Sequence, residues 1–168
     1  MLEGGADRVS FIHVAVGIPL NSTYIYLERP LKKGNILYLD GGAYIHTYTC
    51  DYSRLAVAGK STPEQERIHR AVRRANRKMA ETLRPGLTCA DIFKEGARAL
   101  KDEGLIAMLS EVAGRMGHGQ GILITEPPSI AAEDKTVLQT GMIVSTEPGI
   151  PETAGGKFTW EDVHILTK

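Results

Sequence analysis

The chain of 168 residues has too few cysteines for a disulfide framework, no long apolar run and no surplus charge of either sign. Its two cysteines, Cys50 and Cys89, fit a reducing, cytoplasmic compartment. No segment approaches the ~20 apolar residues that a membrane helix needs. The opening stretch MLEGGADRVS has no basic region followed by an apolar core, so it does not read as a signal peptide. Lys and Arg total 20, and Asp and Glu also total 20, which leaves no broad basic face for nucleic acid or an anionic membrane. Phosphate-binding loops, dinucleotide fingerprints and nucleophile elbows are missing, and neither cysteine has the C-x-x-C partner of a thiolate metal site. There is no internal repeat, low-complexity segment or linker.

Glycine is plentiful, at 18 residues, which points to many turns rather than a helical bundle. The apolar, β-branched run Val9–Val16 predicts a strand that ends at Gly17, and residues 21–27 predict a loop or edge strand. Ile36–Leu39 predicts a short buried strand ending at Asp40, followed by strands over Ala43–Asp51 and Arg54–Ala58. The period then changes. Thr62-Pro63-Glu64 opens a long helix over Pro63–Leu83, stopped by Pro85-Gly86. Its Arg70, Arg73, Arg74, Arg77 and Lys78 read as a solvated face rather than a nucleic-acid patch. Thr88 caps a second helix over Ala90–Asp102, with Asp91 closing a capping box. The remainder predicts strands over Gly121–Thr125, Met142–Glu147 and Asp162–Thr167. The expected fold is one α/β unit of mixed type.

Three carboxylates stand where strand patterns call for apolar residues: Asp40 after ILYL, Glu147 after MIVST, and Glu161 before DVHILT. A buried carboxylate is costly unless it is paired or bound to a metal. A hairpin with its tip at Ile45-His46 would set Asp40 directly opposite Asp51. The two like charges would then need a divalent cation between them. A tip elsewhere would leave one Asp solvated, and spacing alone does not choose. His118 lies among glycines in RMGHGQG, which leaves its imidazole unobstructed. Carboxylates with one histidine make a hard site suited to Mn2+, Fe2+, Co2+ or Zn2+. Two such ions bridged by carboxylates would activate a water for hydrolysis.

The segments LDGGAYIHTYTCDYSR, GHGQGILITEPPSI, STEPGI and WEDVHILT resemble, in order and spacing, the dimetal sites of the pita-bread peptidases. That family includes methionine aminopeptidase, aminopeptidase P and prolidase, with creatinase as a relative. The turn RPLKKGN and the stretch TEPPSI are closer to the aminopeptidase P and prolidase branch. The resemblance implies a pita-bread fold with a curved antiparallel or mixed sheet and two long helices. It implies two divalent ions, Mn2+ first among them, with Asp40 chelating one. Asp51 and Glu161 would bridge both, and His118 and Glu147 would complete the second. Glu147 would serve as the base, with His118 in the catalytic set and Thr146 as a supporting hydrogen-bond donor. The implied reaction is hydrolysis of a peptide amide bond, of Xaa-Pro type, by a hydroxide activated by the two metals.

Several positions depart from the family. Thr125 stands where a histidine precedes E-P-P, and Thr23 falls near a second substrate histidine. Thr159 replaces an arginine two residues before the last Glu, and Pro151 replaces a tyrosine. Tyr48 matches an aromatic near the second Asp. Thr23, Thr125 and Tyr48 are therefore the substrate-contact candidates. Relative to the family, the chain reads as one partial catalytic domain over residues 1–168, its first half (about 1–60) N-terminally truncated and its second half about 61–168. An uncovered sheet face in the first half would pack on another subunit in a homodimer. The expected partner is a peptide or small amide, with no nucleic acid or membrane. The alternatives are a creatinase-like hydrolase of a small non-peptide substrate and a catalytically impaired binding module.

Overall fold

A computed structural model describes residues 1–17, 30–105 and 114–168, and the side chains of these except 151 and 152. Thr23 and the expected loop at 21–27 lie outside the described residues. After a single 3-10 turn at Leu2–Gly4 come the strands β1 (Arg8–Val16), β2 (Ile36–Ile45) and β3 (Tyr48–Val57). The helices α1 (Pro63–Thr82) and α2 (Cys89–Asp102) follow. Six short strands complete the chain: β4 (His118–Gly119), β5 (Glu126–Ser129), β6 (Ile143–Thr146), β7 (Gly149–Thr153), β8 (Gly156–Thr159) and β9 (Asp162–Ile165). They form an antiparallel sheet β1-β2-β3, a second sheet ordered β5-β4-β6-β9, and the hairpin β7-β8. The expected mixed α/β architecture with antiparallel sheets and two helices is what the structure shows.

Both helices begin as their sequences dictate. Thr62 accepts from the Gln65 amide while the Gln65 side chain accepts from the Thr62 amide, and Thr88 and Asp91 repeat the box. The inner stripe of α1, Ile68, Ala71, Val72, Ala75 and Met79, is wholly buried against α2 and the second sheet. Gly96 of α2 has no room for a Cβ beside the sulfur atoms of Met79 and Met116, so the two helices approach closely there. On the outer face of α1, Arg67 pairs with Glu64, Arg70 with Glu66 and Arg77 with Glu81. Such exposed pairs are the solvated face expected from composition.

The first sheet differs from expectation in its details. The three short strands expected between residues 36 and 58 are two long ones, and Asp40 lies inside β2 rather than at its end. Gly41 and Gly42 do not break β2, and at Gly42 the ring of Phe11 and the Cys50 carbonyl leave no space for a side chain. The tip of the hairpin falls at His46-Thr47, both with positive φ (48° and 72°), one residue beyond the expected place. Asp40 therefore opposes Ser53, and Asp51 opposes Gly42. Moving the tip by one residue shifts the pairing by two, which keeps both Asp side chains on one face, now as diagonal neighbours.

That face runs from core to site. Ile36, Leu55 and Val57 at one end pack into the hydrophobic cluster, and Asp40 and Asp51 stand at the other. The opposite face carries Ile12, Val14, Leu39 and Tyr52, exposed by 51, 58, 41 and 46%. In the last third, residues 121–125 are bends instead of the expected strand, and β5 starts at Glu126. A side chain at Gly121 would collide with the Glu126 carboxylate. The hairpin β7-β8 turns at Ala154-Gly155, both with positive φ (47° and 93°). Among the described residues no helix is long and apolar enough to cross a membrane.

Candidate metal centre

Two sheets converge on one cluster. From β3 comes Asp51; from the second sheet come His118 at the start of β4 and Glu161, just before β9. One ligand atom from each lies within 4.8 Å of the others, and all three side chains are buried. His118 Nε2 is 3.6 Å from Glu161 Oε1 and 3.9 Å from Asp51 Oδ2. His118 Nδ1 lies 3.0 Å from the Gly119 carbonyl. A carbonyl only accepts, so Nδ1 carries the proton and Nε2 keeps its lone pair toward the carboxylates. Burial also holds the imidazole below its ordinary pKa, which keeps it neutral.

Asp40 and Glu147 flank the trio. Tyr38 donates to Asp40 Oδ2 at 2.8 Å, and His13 Nδ1 is 3.8 Å from the same oxygen. Lys157 Nζ lies 3.2 Å from the Tyr38 hydroxyl and 3.9 Å from Glu147 Oε1. Burial raises the Glu147 pKa, and the Lys157 charge partly offsets it. Burial, then the charges of Asp40 and Glu147, pushes Asp51 up to about 8. Burial, then the charges of Glu147, Asp51 and Asp40, pushes Glu161 up to about 10. Asp51, Glu147 and Glu161 thus resist ionising together in one water-poor site.

A divalent cation fits this arrangement. Asp40 Oδ1, Asp51 Oδ1 and Glu161 Oε1 are buried and have no hydrogen-bond partner among the described residues, so each has an acceptor to spare. Carboxylate oxygens with one imidazole nitrogen are a hard donor set, and a cation would reverse the upward pKa shifts.

The surroundings hold the ligands from behind. Ser145 Oγ accepts from the His118 amide at 3.3 Å and its hydroxyl donates to Glu161. Asn76 of α1 donates through Nδ2 to the Thr146 carbonyl at 2.7 Å, to Thr146 Oγ1 at 3.0 Å and to the Trp160 carbonyl at 3.2 Å. Thr146 and Trp160 immediately precede Glu147 and Glu161, so one buried amide fastens both carboxylate-bearing segments. Sequence reasoning reached Thr146 but missed Asn76. The signal was there: Asn76 stands four residues after Val72 and three before Met79, a polar residue in an apolar stripe.

The substrate candidates fare differently. Thr125 is exposed just before β5, and among the described residues it makes no hydrogen bond to the cluster. Tyr48 is 58% exposed at the hairpin tip. By strand alternation it points to the face opposite Asp51. Thr159 is buried on β8, and its hydroxyl has no partner among the described residues.

A buried carboxylate–histidine cluster that could hold a metal thus sits between two antiparallel sheets in a fold of the pita-bread type. The whole chain, residues 1–168, matches Metallopeptidase family M24, and the chain belongs to that family. It is 28% identical over 141 residues to the Xaa-Pro dipeptidase of Pyrococcus horikoshii, covering 84% of this chain and 39% of that protein. It is 32% identical over 168 residues to the probable dipeptidase PepE of Mycobacterium bovis, covering 98% of this chain and 44% of that one. The prolidase structure from Pyrococcus furiosus superposes with a TM-score of 0.87 at 27% identity, covering 99% of this chain and 49% of the other. The chain thus spans less than half the length of these relatives.

Proposed function

We propose that the chain carries the catalytic centre of a metal-dependent peptidase that hydrolyses a peptide amide bond, of Xaa-Pro type. The observation that supports this most directly is the buried trio Asp51, His118 and Glu161 within 4.8 Å, flanked by Asp40 and Glu147. Asp40, Asp51, His118, Glu147 and Glu161 would hold two divalent ions, Mn2+ first among the candidates. When bound, the ions supply charge that polarises an amide carbonyl and activates water.

The residues of the chain do the remaining work. His118 presents Nε2 because Gly119 holds the other nitrogen's proton. Glu147 is the base: burial raises its pKa, so its carboxylate takes a proton more readily than an exposed one, and the Lys157 charge partly offsets that rise. Tyr38 holds Asp40 in place by its hydroxyl. Asn76 sets the approach of Glu147 and Glu161 to the cluster. Residues 1–168 contribute to one catalytic domain in the cytoplasm, the first sheet and the helical half each supplying part of the ligand set.

Metal counting on chain grown in Mn2+, followed by a panel of Xaa-Pro dipeptides, tests the reading. About two equivalents of metal and turnover of at least one dipeptide are expected. No bound metal would overturn it. Turnover of small cyclic amides or amidines without any dipeptide would instead favour the creatinase-like alternative, which the threonine at position 125 motivates.

A further inference from the structure

The cluster is closed on one side and open on the other. The side chains of Glu161, His118 and Asp51 are 1, 3 and 7% exposed, whereas those of Asp40, Glu147 and Lys157 are 15, 22 and 26% exposed. Solvent, and with it a substrate, reaches the buried ligand atoms past these last three. Asp40 and Glu147 belong to the cluster; Lys157 is a cation at the mouth of an acidic site.

Strand β8 puts it there. Phe158 is buried in the core, so by alternation Lys157 leaves the strand on the opposite side, toward Tyr38 and Glu147. Its Nζ stands over the Tyr38 ring, 4.5 Å from the centre, and donates at 3.2 Å to the hydroxyl that itself donates to Asp40. Ring and hydroxyl together hold the ammonium in place. An ammonium has three donors. Tyr38 takes one, and Glu147 Oε1 at 3.9 Å is too far for a hydrogen bond. Among the described residues the other two donors have no acceptor. Arg115 also brings positive charge to Glu147, with a smaller effect than Lys157.

We propose that Lys157 is a specificity-determining residue that binds a carboxylate carried by the substrate residue after the bond to be cleaved, above all the free C-terminal carboxylate of a dipeptide. The carbon of that carboxylate lies three covalent bonds beyond the scissile carbonyl carbon, about 3–4 Å away. A carbonyl held beside Glu147, the base, thus brings the anion within reach of an ammonium 3.9 Å from the same glutamate. The need is electrostatic. Four carboxylates repel a substrate anion, and two bound divalent ions would only neutralise them. A compact ammonium with two open donors supplies the missing attraction through a charge-assisted hydrogen bond. The proposal rests on the peptidase reading above.

The test uses Mn2+-loaded chain as wild type, Lys157→Met and Lys157→Arg. One substrate pair is Ala-Pro and its C-terminal amide; the other, Ala-Asp amide and Ala-Asn amide, moves the carboxylate to the side chain. Wild type is expected to favour the acid in kcat/KM by about tenfold or more in at least one pair, K157M to lose or reverse that ratio, and K157R to keep most of it. A ratio in the first pair identifies a C-terminal carboxylate, and one in the second a side-chain carboxylate. Equal losses on acid and amide in K157M would mean that Lys157 acts only through Glu147. That result, or a wild-type ratio near one in both pairs, overturns the inference and leaves the peptidase reading standing. Thermal melting with the same compounds separates binding from turnover. If no peptide is cleaved but the acids raise the wild-type melting temperature more than the amides do, and K157M shows no such difference, the peptidase reading falls and the inference stands. No difference in turnover or in melting overturns it.

Discussion

The two sheets that meet at the cluster hold their ligands by different means. The first sheet places Asp40 and Asp51 through a long, regular ladder of ten-residue strands whose far face is open, with Val14 and Leu39 exposed by 58 and 41%. The second places His118, Glu147 and Glu161 on or beside strands of two to four residues, too short to fix anything by their own pairing. What positions them is the helix behind: α1 buries its apolar stripe there and sends Asn76 to the segments carrying both glutamates. A ligand can thus be set by ladder register or by a helix-borne clamp, and the site uses one of each.

The sharpest way to break this comparison is to remove one shared ligand from each side. Asp51→Asn and Glu161→Gln should each abolish full metal loading and lower any peptidase activity by at least about a hundredfold. Equal losses would show that the two sheets build one centre; a loss confined to one variant would split it. Each substitution also deletes a like charge from a crowded site, so the metal-free variants should melt above the wild type in the same scan.

Next in size is the pH response of the metal-free protein. Asp51 and Glu161 have folded pKa values raised to about 8 and about 10. The folded state therefore holds protons that the unfolded chain has already released, and stability falls as pH rises from the ordinary carboxylate range through these values. His118 acts oppositely: its lowered pKa removes stability as pH drops below the usual histidine value. Between pH 7 and 9 the carboxylates decide, and the melting temperature should fall. Saturating Mn2+ should flatten the slope, because the cation takes the place of the protons. A flat profile without metal would mean that the cluster is more hydrated than its burial implies.

How much of this was legible beforehand follows the same division. The helices were readable because their signals are local: Thr62-Pro63 and Thr88-x-x-Asp91 announce their own caps. Asp40, Glu147 and Glu161 were readable because charges interrupt apolar runs, Asp51 through the hairpin spacing and His118 through the glycines on either side of it. The place of the hairpin tip stayed open, since nothing in AYIHTYT forces positive φ at His46-Thr47 over Ile45-His46. Strand β5 and the hairpin β7-β8 were missed because Pro and Gly fill them, as in EPPS and GIPET, and partners far along the chain, not propensity, hold them extended. Asn76 shows in the sequence as a polar break in an apolar stripe, but that it clamps the two glutamate-bearing segments is a tertiary fact that no local pattern carries.

Asn76→Ala tests the clamp directly. Losing a buried amide that serves two carbonyls and a hydroxyl should cost about 1–3 kcal/mol of unfolding free energy, read from denaturant curves. Metal affinity should weaken by about ten- to a hundredfold, since Glu147 and Glu161 lose their common tie. Loss of stability with unchanged metal affinity would return Asn76 to an ordinary core role and leave the short strands unexplained.

The smallest effect separates the backs of the two sheets. Val14 on β1 is 58% exposed, whereas Val144 on β6 is wholly buried against the helices. Threonine has nearly the shape of valine, so Val→Thr adds a hydroxyl with little change in volume. At Val144 that hydroxyl is buried, at a cost of about 1–3 kcal/mol. At Val14 it meets water, and the change should stay within about 0.5 kcal/mol. Denaturant curves of the two variants give the difference directly. Equal costs would mean that the outer face of the first sheet is covered in solution by a second copy or another chain, and that its ladder no longer positions Asp40 and Asp51 unaided.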